Sequence, residues 1–224
     1  MATVTVMTYN ILGGREPAAL ARVVRHVRPD VMLANESPKT PLLWRAHCER
    51  LAGDWQLRYV AGGRSAGSNL LLASRRVRVV RSDAWRIAQP LLKPRRGIVV
   101  AQLEIESAPF GFVGCHLSLL PDSRPAEVEM VVEAASSLTG PVVVAGDLNE
   151  RPRARSWERL RSAGFTDAAG ADDLTFPASS PKARIDALLV RGEVDIRAHE
   201  VPDLGSTLLA TASDHLPVTA VLVL

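Results

Sequence analysis

A carboxylate and a carboxamide, two positions apart, follow an apolar run about two thirds of the way along the chain. Val142 to Val144 are consecutive β-branched residues, which is typical of a strand buried on both faces. Gly146 ends the run, and Asp147 and Asn149 come next. Layered α/β proteins keep their chemistry at this edge of a sheet. On its own, however, the pattern more often indicates an ordinary Asp/Asn turn at the end of a strand.

The same arrangement recurs along the chain. Apolar strands end in, or begin at, residues suited to binding a hard cation or a phosphate: Asn10, Glu36, His116, Asp147 with Asn149, Asp186, and Asp214 with His215. Each residue alone has a simple structural explanation as a cap, a turn or a satisfied polar group. Six such places in one chain are harder to explain separately, so they favour one shared site.

These residue types fit the hydrolysis of a phosphoester. Mg²⁺ prefers oxygen ligands and keeps several waters, so one or two carboxylates and a substrate phosphate are enough to hold it. The reaction also needs a held water and donors for the charge that develops on the phosphate. The sequence shows no nucleophile elbow, no Walker loop and no zinc-type His/Cys cluster. Direct attack by water is therefore favoured over a covalent intermediate.

The periodicity of the chain predicts an α/β fold of the α+β type. Strands are predicted at 4–9, 31–34, 57–60, 70–73, 77–81, 98–105, 110–115, 142–144, 185–190, 196–201 and 218–224. Helices are predicted around 20–27, from about 41 to 51, at 126–138 and at 154–163. Helices beside strands in both halves suggest two packed mixed sheets with helices outside, a four-layer α/β/β/α sandwich. We expect residues 1–224 to form one domain, because no linker or repeat interrupts them.

Composition places few further limits on function. The hydrophobic fraction of 47% and the charged fraction of 23% are ordinary for a globular protein. No apolar run approaches the roughly 18 residues that a membrane span needs, and no signal-peptide pattern begins the chain, so we expect a cytoplasmic protein. A net charge of +3 permits an anionic substrate without requiring one. Cys48 and Cys115 are predicted to be buried thiols, and the sequence does not argue for their pairing.

The polar residues lie in short motifs that follow one another in a recognisable order. These are Thr8-Tyr9-Asn10-Ile11, Asn35-Glu36, Ser68-Asn69, Arg96-Gly97, His116-Leu117, Gly146-Asp147-Leu148-Asn149, Thr175-Phe176-Pro177, Arg184-Ile185-Asp186 and Ser213-Asp214-His215-Leu216-Pro217. Together they resemble the endonuclease/exonuclease/phosphatase superfamily, and in particular its deoxyribonuclease-like and neutral sphingomyelinase-like bacterial members. The resemblance runs from residue 4 to the C-terminus.

The resemblance implies a four-layer α/β/β/α sandwich that carries out metal-dependent phosphoester hydrolysis. Glu36 would be the principal ligand of Mg²⁺, or of Mn²⁺ in its place, with Asp214 and Asn10 nearby. Asp147 would orient and deprotonate the attacking water. Asn149 would assist it and contact the phosphate.

The remaining roles that the resemblance implies concern the phosphate and the leaving group. His215 would donate to a phosphate oxygen, and Asp186 would fix its tautomer and raise its pKa. His116 would be a second phosphate donor or an acid for the leaving group. Asn69, Arg96 and Ser213 would be supporting residues.

The sequence departs from the superfamily pattern at two positions. Asn35 stands where relatives usually have Gln before the glutamate. Leu12 stands where the abasic-site endonucleases have an acidic residue, which argues against that branch and removes a possible ligand of a second metal. The chain is also short, with little room for the insertions that grip duplex DNA.

Three alternatives for the function stay open at this stage. The phosphoester could belong to a small molecule, to a membrane lipid headgroup or to nucleic acid, the last making the protein an endo- or exonuclease. A nuclease should have a basic groove, and a lipid enzyme should have an exposed apolar rim. A non-catalytic protein that keeps the fold as a scaffold is the third alternative, after a phosphoesterase of small molecules or lipids and a nuclease. We expect a monomer.

Overall fold

The computed structural model of the protein describes residues 1–88, 94–168 and 173–224. The strands, in chain order, are β1 (Thr3–Asn10), β2 (Val31–Asn35), β3 (Arg58–Gly63), β4 (Asn69–Ala73), β5 (Val77–Arg86), β6 (Gly97–Ile105), β7 (Ala108–His116), β8 (Val142–Asp147), β9 (Thr166–Asp167), β10 (Asp186–Arg191), β11 (Asp195–Glu200) and β12 (Val218–Val223). The helices are α1 (Pro17–Val27), α2 (Trp44–Asp54), α3 (Arg124–Ser136), α4 (Arg155–Ser162) and α5 (Ser206–Ala212).

The strands form two six-stranded mixed sheets. The first has the order β11-β12-β1-β2-β4-β3, and the second has the order β5-β6-β7-β8-β10-β9. In each sheet one central pair is parallel, β1 with β2 and β7 with β8, while the other pairs are antiparallel. The two sheets therefore have the same number of strands and the same mixture of parallel and antiparallel pairs.

Apolar side chains of both sheets meet in a shared core. Val6 and Leu33 from the first sheet and Phe112 and Val143 from the second are fully buried in this layer. The outer face of the first sheet packs against α1, α2 and α5. The outer face of the second sheet packs against α3 and α4. The predicted four-layer α/β/β/α sandwich is thus confirmed.

Most predicted elements are confirmed with shifted ends. Strand β5 continues to Arg86 instead of ending at residue 81, and α2 begins at Trp44 instead of near residue 41. Strand β5 lies at the edge of its sheet, and most of its residues are exposed. The sequence pattern did not predict α5 or the two-residue β9, because both are too short to show a period.

The glycine-rich stretch after β3 is a hairpin connection, since β3 and β4 pair as antiparallel neighbours. One smaller expectation also holds. Cys48 and Cys115 are both buried free thiols and are not joined. Within the described ranges, no helix has the length and apolar character that crossing a membrane requires.

The sheet register brings the polar strand ends to one end of the sandwich. In the first sheet Asn10 is the partner of Asn35, so that Glu36 follows directly beside Asn10. In the second sheet Asp147 is the partner of both His116 and Asp186, because β8 lies between β7 and β10. Parallel neighbours end at the same edge, and β10 begins there.

We predict that Gly146→Ala strongly destabilises the protein. Gly146 has φ +143°, and a Cβ there would lie 1.9 Å from the Cys115 carbonyl oxygen of the neighbouring strand. Backbone cannot move aside cheaply between two paired strands, so the loss should be about 3 kcal/mol in the free energy of unfolding. Chemical denaturation followed by circular dichroism measures it.

Gly53→Ala is the matched control. Gly53 lies inside α2, and a Cβ at this residue would have no other atom within 4 Å. Alanine should therefore stabilise the helix by about 0.5–1 kcal/mol. Equal unfolding midpoints for the two variants would contradict the assignment of the tight strand contact.

Candidate active site

Asp147 is the residue on which the polar strand ends converge. Its carboxylate is buried, and one oxygen, Oδ2, accepts a hydrogen bond from Asn10 Nδ2 at 3.3 Å. The same oxygen lies 3.3 Å from His116 Nε2 and 3.8 Å from His215 Nε2. Asn10 belongs to the first sheet and Asp147 to the second, so the site forms where the two sheets face each other.

The second oxygen of Asp147 is held by the turn that follows β8. Oδ1 accepts a hydrogen bond from the backbone N–H of Asn149 at 2.9 Å. Asn149 has φ +50°, a left-handed conformation that asparagine tolerates better than most residues. Its Nδ2 donates to the Leu117 carbonyl at 2.9 Å. The turn after β8 is therefore tied to the loop that follows His116.

His215 is fixed by a buried carboxylate on the second sheet. Its Nδ1 lies 2.9 Å from Asp186 Oδ2. The hydroxyl of Thr175 accepts hydrogen bonds from the backbone N–H groups of Ile185, at 3.1 Å, and of Asp186, at 3.4 Å. The ring of Phe176 packs against the imidazole, with 4.8 Å between ring centroids. The imidazole is thereby directed with Nε2 toward Asp147.

A carboxamide joins the two sheets directly behind the site. Asn35 is fully buried at the end of β2, and its Nδ2 donates to Asn69 Oδ1 at 2.7 Å and to the Cys115 carbonyl at 2.9 Å. Its Oδ1 accepts the backbone N–H of Asp147 at 3.2 Å. Asn69 in turn donates to the Gly97 carbonyl at 2.7 Å. Asn69 therefore supports the site through Asn35.

Two further carboxylates, those of Glu36 and Asp214, directly follow residues of this cluster in the chain. Ser213 connects one of them, because its hydroxyl donates to the Asn10 carbonyl at 2.6 Å and lies 3.4 Å from Asp214 Oδ1. Asp214 is exposed to solvent. Glu36 has φ +54°, and its carbonyl accepts the N–H of Gly13 at 2.8 Å. The Glu36 carboxylate forms no hydrogen bond or ion pair with the described residues.

The buried charges shift the pKa values of the two central groups in a consistent way. Burial raises the pKa of Asp147 to about 7, and the negative charge of Asp186 adds to the effect. Burial alone would lower the pKa of His215. The charges of Asp186, Asp147 and Asp214 and the hydrogen bond that Nδ1–H donates to Asp186 outweigh burial, and they raise this pKa to about 9. His215 is accordingly a cation at neutral pH.

His116 behaves differently from His215. Burial, followed by the positive charges of Arg96, His215 and Lys39, holds the pKa of His116 well below 6.5. Its distance to Asp147 would suit an ion pair, but no second carboxylate among the described residues supports the charge, so we assign a neutral imidazole. Burial lowers the pKa of Arg96, and the charges of Asp147, Glu127 and Glu36 oppose that shift.

Two sets of residues are candidates for holding a divalent ion, and among the described residues the ligand atoms of one set lie close together. Ligand atoms of Asp147, Asp186 and His215 all lie within 4.8 Å of one another. In that set, however, Asp186 Oδ2 and His215 Nδ1 already share a hydrogen bond, and the raised pKa of His215 keeps protons on both ring nitrogens. The other set, Glu36, Asp214 and Asn10, offers only oxygen atoms, which suits a hard cation.

The contacts bring together most of the residues that the sequence singled out: Asn10, His116, Asp147, Asn149, Asp186, Ser213 and His215. Sequence reasoning missed two roles. Asn35 was noted only as a departure from the usual Gln, yet it joins the sheets. Thr175 was quoted only as part of a motif. A single threonine forms no sequence pattern from which its hydrogen bonds with the N–H groups of Ile185 and Asp186 could be predicted.

The chain belongs to the Endonuclease/Exonuclease/phosphatase family, whose profile matches residues 7–215. This match confirms the resemblance seen in the sequence motifs. Comparison with curated proteins gives no match.

Solved structures show the same fold over nearly the whole chain. The mannosyl-6-phosphatase Bt3783 of Bacteroides thetaiotaomicron VPI-5482 is 17% identical, with a TM-score of 0.81, covering 99% of this chain and 100% of that chain. A humanized D. rerio TDP2 is 17% identical, with a TM-score of 0.76 and full coverage of both chains. The human Nocturnin catalytic domain with bound sulfate anion is 15% identical, with a TM-score of 0.75, covering 99% of this chain and 94% of that chain.

We predict that Asp186→Asn lowers the pKa of His215. Asp186 supplies the nearest negative charge and the hydrogen bond to Nδ1, and burial opposes the cation once both are weakened. Titration of the metal-free variant by ¹⁵N–¹H NMR of the imidazole measures the value. The native protein should give about 9, and the variant should fall toward or below 6.5. An unchanged value would show that Asp186 does not stabilise the cation.

Proposed function

We propose that this protein is a metal-dependent phosphoesterase in which water, activated by Asp147, attacks the phosphorus directly. One observation carries the proposal. A single buried carboxylate lies within 4 Å of an amide, two imidazoles and a backbone N–H that come from different strand ends. Membership of the Endonuclease/Exonuclease/phosphatase family supports the reaction class.

Glu36, Asp214 and Asn10 would hold the metal, for which Mg²⁺ is our first choice and Mn²⁺ the second. When bound, the ion neutralises charge on the phosphate and on the leaving oxygen. The Glu36 carboxylate is the best candidate for the principal ligand, because no described residue occupies it. Ser213 positions Asp214 and the Asn10 backbone in relation to each other.

Asp147 accepts the proton of the attacking water, and its neighbours determine where that water lies. The N–H of Asn149 and the Nδ2 of Asn10 fix the two carboxylate oxygens. Asn149 uses its Nδ2 on Leu117, so its Oδ1 remains to accept a hydrogen bond from the water. Such fixed hydrogen-bond partners hold the nucleophile near its line of attack without reorganisation during the reaction.

The cations and donors on the other side bind the phosphate. His215, charged through Asp186, donates from Nε2 to a phosphate oxygen. Arg96 adds a buried positive charge, and its Nε has no hydrogen-bond partner among the described residues. His116 is neutral and carries one proton, which it can donate to a phosphate oxygen or to the leaving group. Together these groups compensate the charge that builds up in the transition state.

A small phosphomonoester is our first choice of substrate class. The support for this choice is the likeness to Bt3783, which is named a mannosyl-6-phosphatase and matches 99% of this chain with a TM-score of 0.81. Nucleic acid is the second choice. We further propose that residues 1–224 act as one monomeric domain, because both sheets contribute to one core.

Removing the proposed base should abolish turnover. We expect Asp147→Asn to reduce kcat at least about a thousandfold, because the parts of such a site act as a unit. The matched control is Asp83→Asn, an exposed aspartate on the edge strand β5, which should leave kcat unchanged. Assays should use p-nitrophenyl phosphate, bis(p-nitrophenyl) phosphate, hexose 6-phosphates, sphingomyelin and plasmid DNA, each with Mg²⁺ and with EDTA. Inactivity on the entire panel, or an active Asp147→Asn variant, refutes the proposal.

Metal binding should be visible without any substrate. At a Mg²⁺ concentration of about 100 times its Kd, a site present only in the folded state adds about 2.7 kcal/mol of stability. We therefore expect Mg²⁺ to raise the Tm of the native protein, and Glu36→Gln to remove most of that rise. Glu193→Gln, at an exposed position, should keep it. A metal-induced rise that survives Glu36→Gln would place the ion elsewhere.

A further inference from the structure

The first turn of α3 contacts both loops that shape the site. Arg124, the first residue of this helix, donates from Nη1 to the Asn149 carbonyl. Its Nε lies 3.1 Å from Glu150 Oε1, in an ion pair whose two side chains are only 9% and 11% exposed. One helical turn later, Glu127 Oε2 accepts the N–H of Ser118 at 2.6 Å.

The two loops are the ones that follow His116 and Asp147. Ser118 is two residues after His116, and Asn149 is two residues after Asp147. The loops also contact each other, because Asn149 Nδ2 donates to the Leu117 carbonyl and Leu117 N–H donates to the Asp147 carbonyl. A shift of either loop would therefore move the other.

Asn149 needs such support more than an ordinary turn residue does. Its left-handed backbone conformation is sparsely populated, so surrounding contacts must maintain it. That conformation directs its N–H at Asp147 Oδ1. The carbonyl of the same residue is the acceptor for Arg124. Glu150 is in turn held by the Ser156 N–H at 2.8 Å and, through its carbonyl, by Trp157 Nε1 at 2.9 Å.

We propose that Arg124 is a positioning residue for the reaction, which acts through Asn149 on the orientation of the Asp147 carboxylate. The catalytic part of this inference rests on the proposed function. The guanidinium suits this role, because its rigid array of donors can bind a carbonyl and a carboxylate at the same time. Lysine offers one compact ammonium group and can maintain one of these contacts well, not both.

A second arginine, which lies close to α3 and α4, provides a matched control for the loss of Arg124. Arg159 on α4 forms an ion pair with Glu129 on α3, with 2.5 Å between Nε and Oε1, and both side chains are substantially exposed. Arg159→Gln therefore removes an Arg–Glu pair that does not contact the turn after β8. Comparison with Arg124→Gln separates a loss of positioning from a general loosening of the helices.

The first measurement is amide hydrogen exchange of the metal-free protein, followed by mass spectrometry. Arg124→Gln should accelerate exchange at least about tenfold in peptides that cover residues 147–151, because the turn loses its buried anchor. Arg159→Gln should leave these peptides unchanged. Equal exchange of residues 147–151 in the native protein and in Arg124→Gln overturns the inference, whatever the activity.

The second measurement is a double-mutant cycle on kcat and KM. Arg124→Gln should lower kcat about 10- to 100-fold with less than about a threefold change in KM, and Arg124→Lys should recover part of the loss. In an Asp147→Asn background the same Arg124→Gln change should cost less than about threefold in the residual rate, because the carboxylate that Arg124 orients is no longer present. An undiminished loss in that background would mean that Arg124 does not act on the Asp147 carboxylate.

The outcomes distinguish the inference from the function on which it rests. A native protein that hydrolyses no phosphoester refutes the proposed function and the catalytic part of the inference together. An active native protein whose Arg124→Gln and Arg159→Gln variants have equal kcat refutes the inference alone.

Discussion

The buried carboxamide of Asn35 is the contact on which the site's geometry depends. It belongs to the first sheet, yet it binds the Cys115 carbonyl and the Asp147 N–H of the second. A buried amide that loses its partners costs roughly 1–3 kcal/mol for each unsatisfied group. The sheets are therefore held in one register at this end of the sandwich. Apolar packing between the sheets, which is not directional, could not fix that register alone.

The Asn35 contacts allow charged groups to be buried side by side. Asn10 reaches Asp147 across the gap between the sheets, and His215 approaches the same carboxylate from the opposite side. Gly146 allows the end of β8 to lie close to β7, since a side chain at this position would collide with the Cys115 carbonyl. The resulting environment keeps His215 charged and His116 neutral, so two histidines of one site have different chemistry.

The fold and much of the site could be predicted, for identifiable reasons. Continuous valines marked β8 as a central buried strand, and polar residues at strand ends marked the candidate site. What could not be predicted depends on contacts between distant segments. The hydrogen bonds of Asn35 and the contacts of Arg124 join segments that are far apart in the chain and leave no local pattern. Helix α5 was missed for a different reason, since its 7 residues are too few to establish a period.

The central claim is that these strand ends form one site for a divalent ion and a phosphate group. An anomalous diffraction map from a crystal grown with Mn²⁺ and inorganic phosphate tests it directly. We predict one Mn²⁺ bound by Glu36 together with Asp214 or Asn10, with the phosphate between the ion and His215 and with Asp147 free of the metal. A Mn²⁺ held by Asp147, Asp186 and His215, with the Asp186–His215 hydrogen bond broken, would contradict this claim.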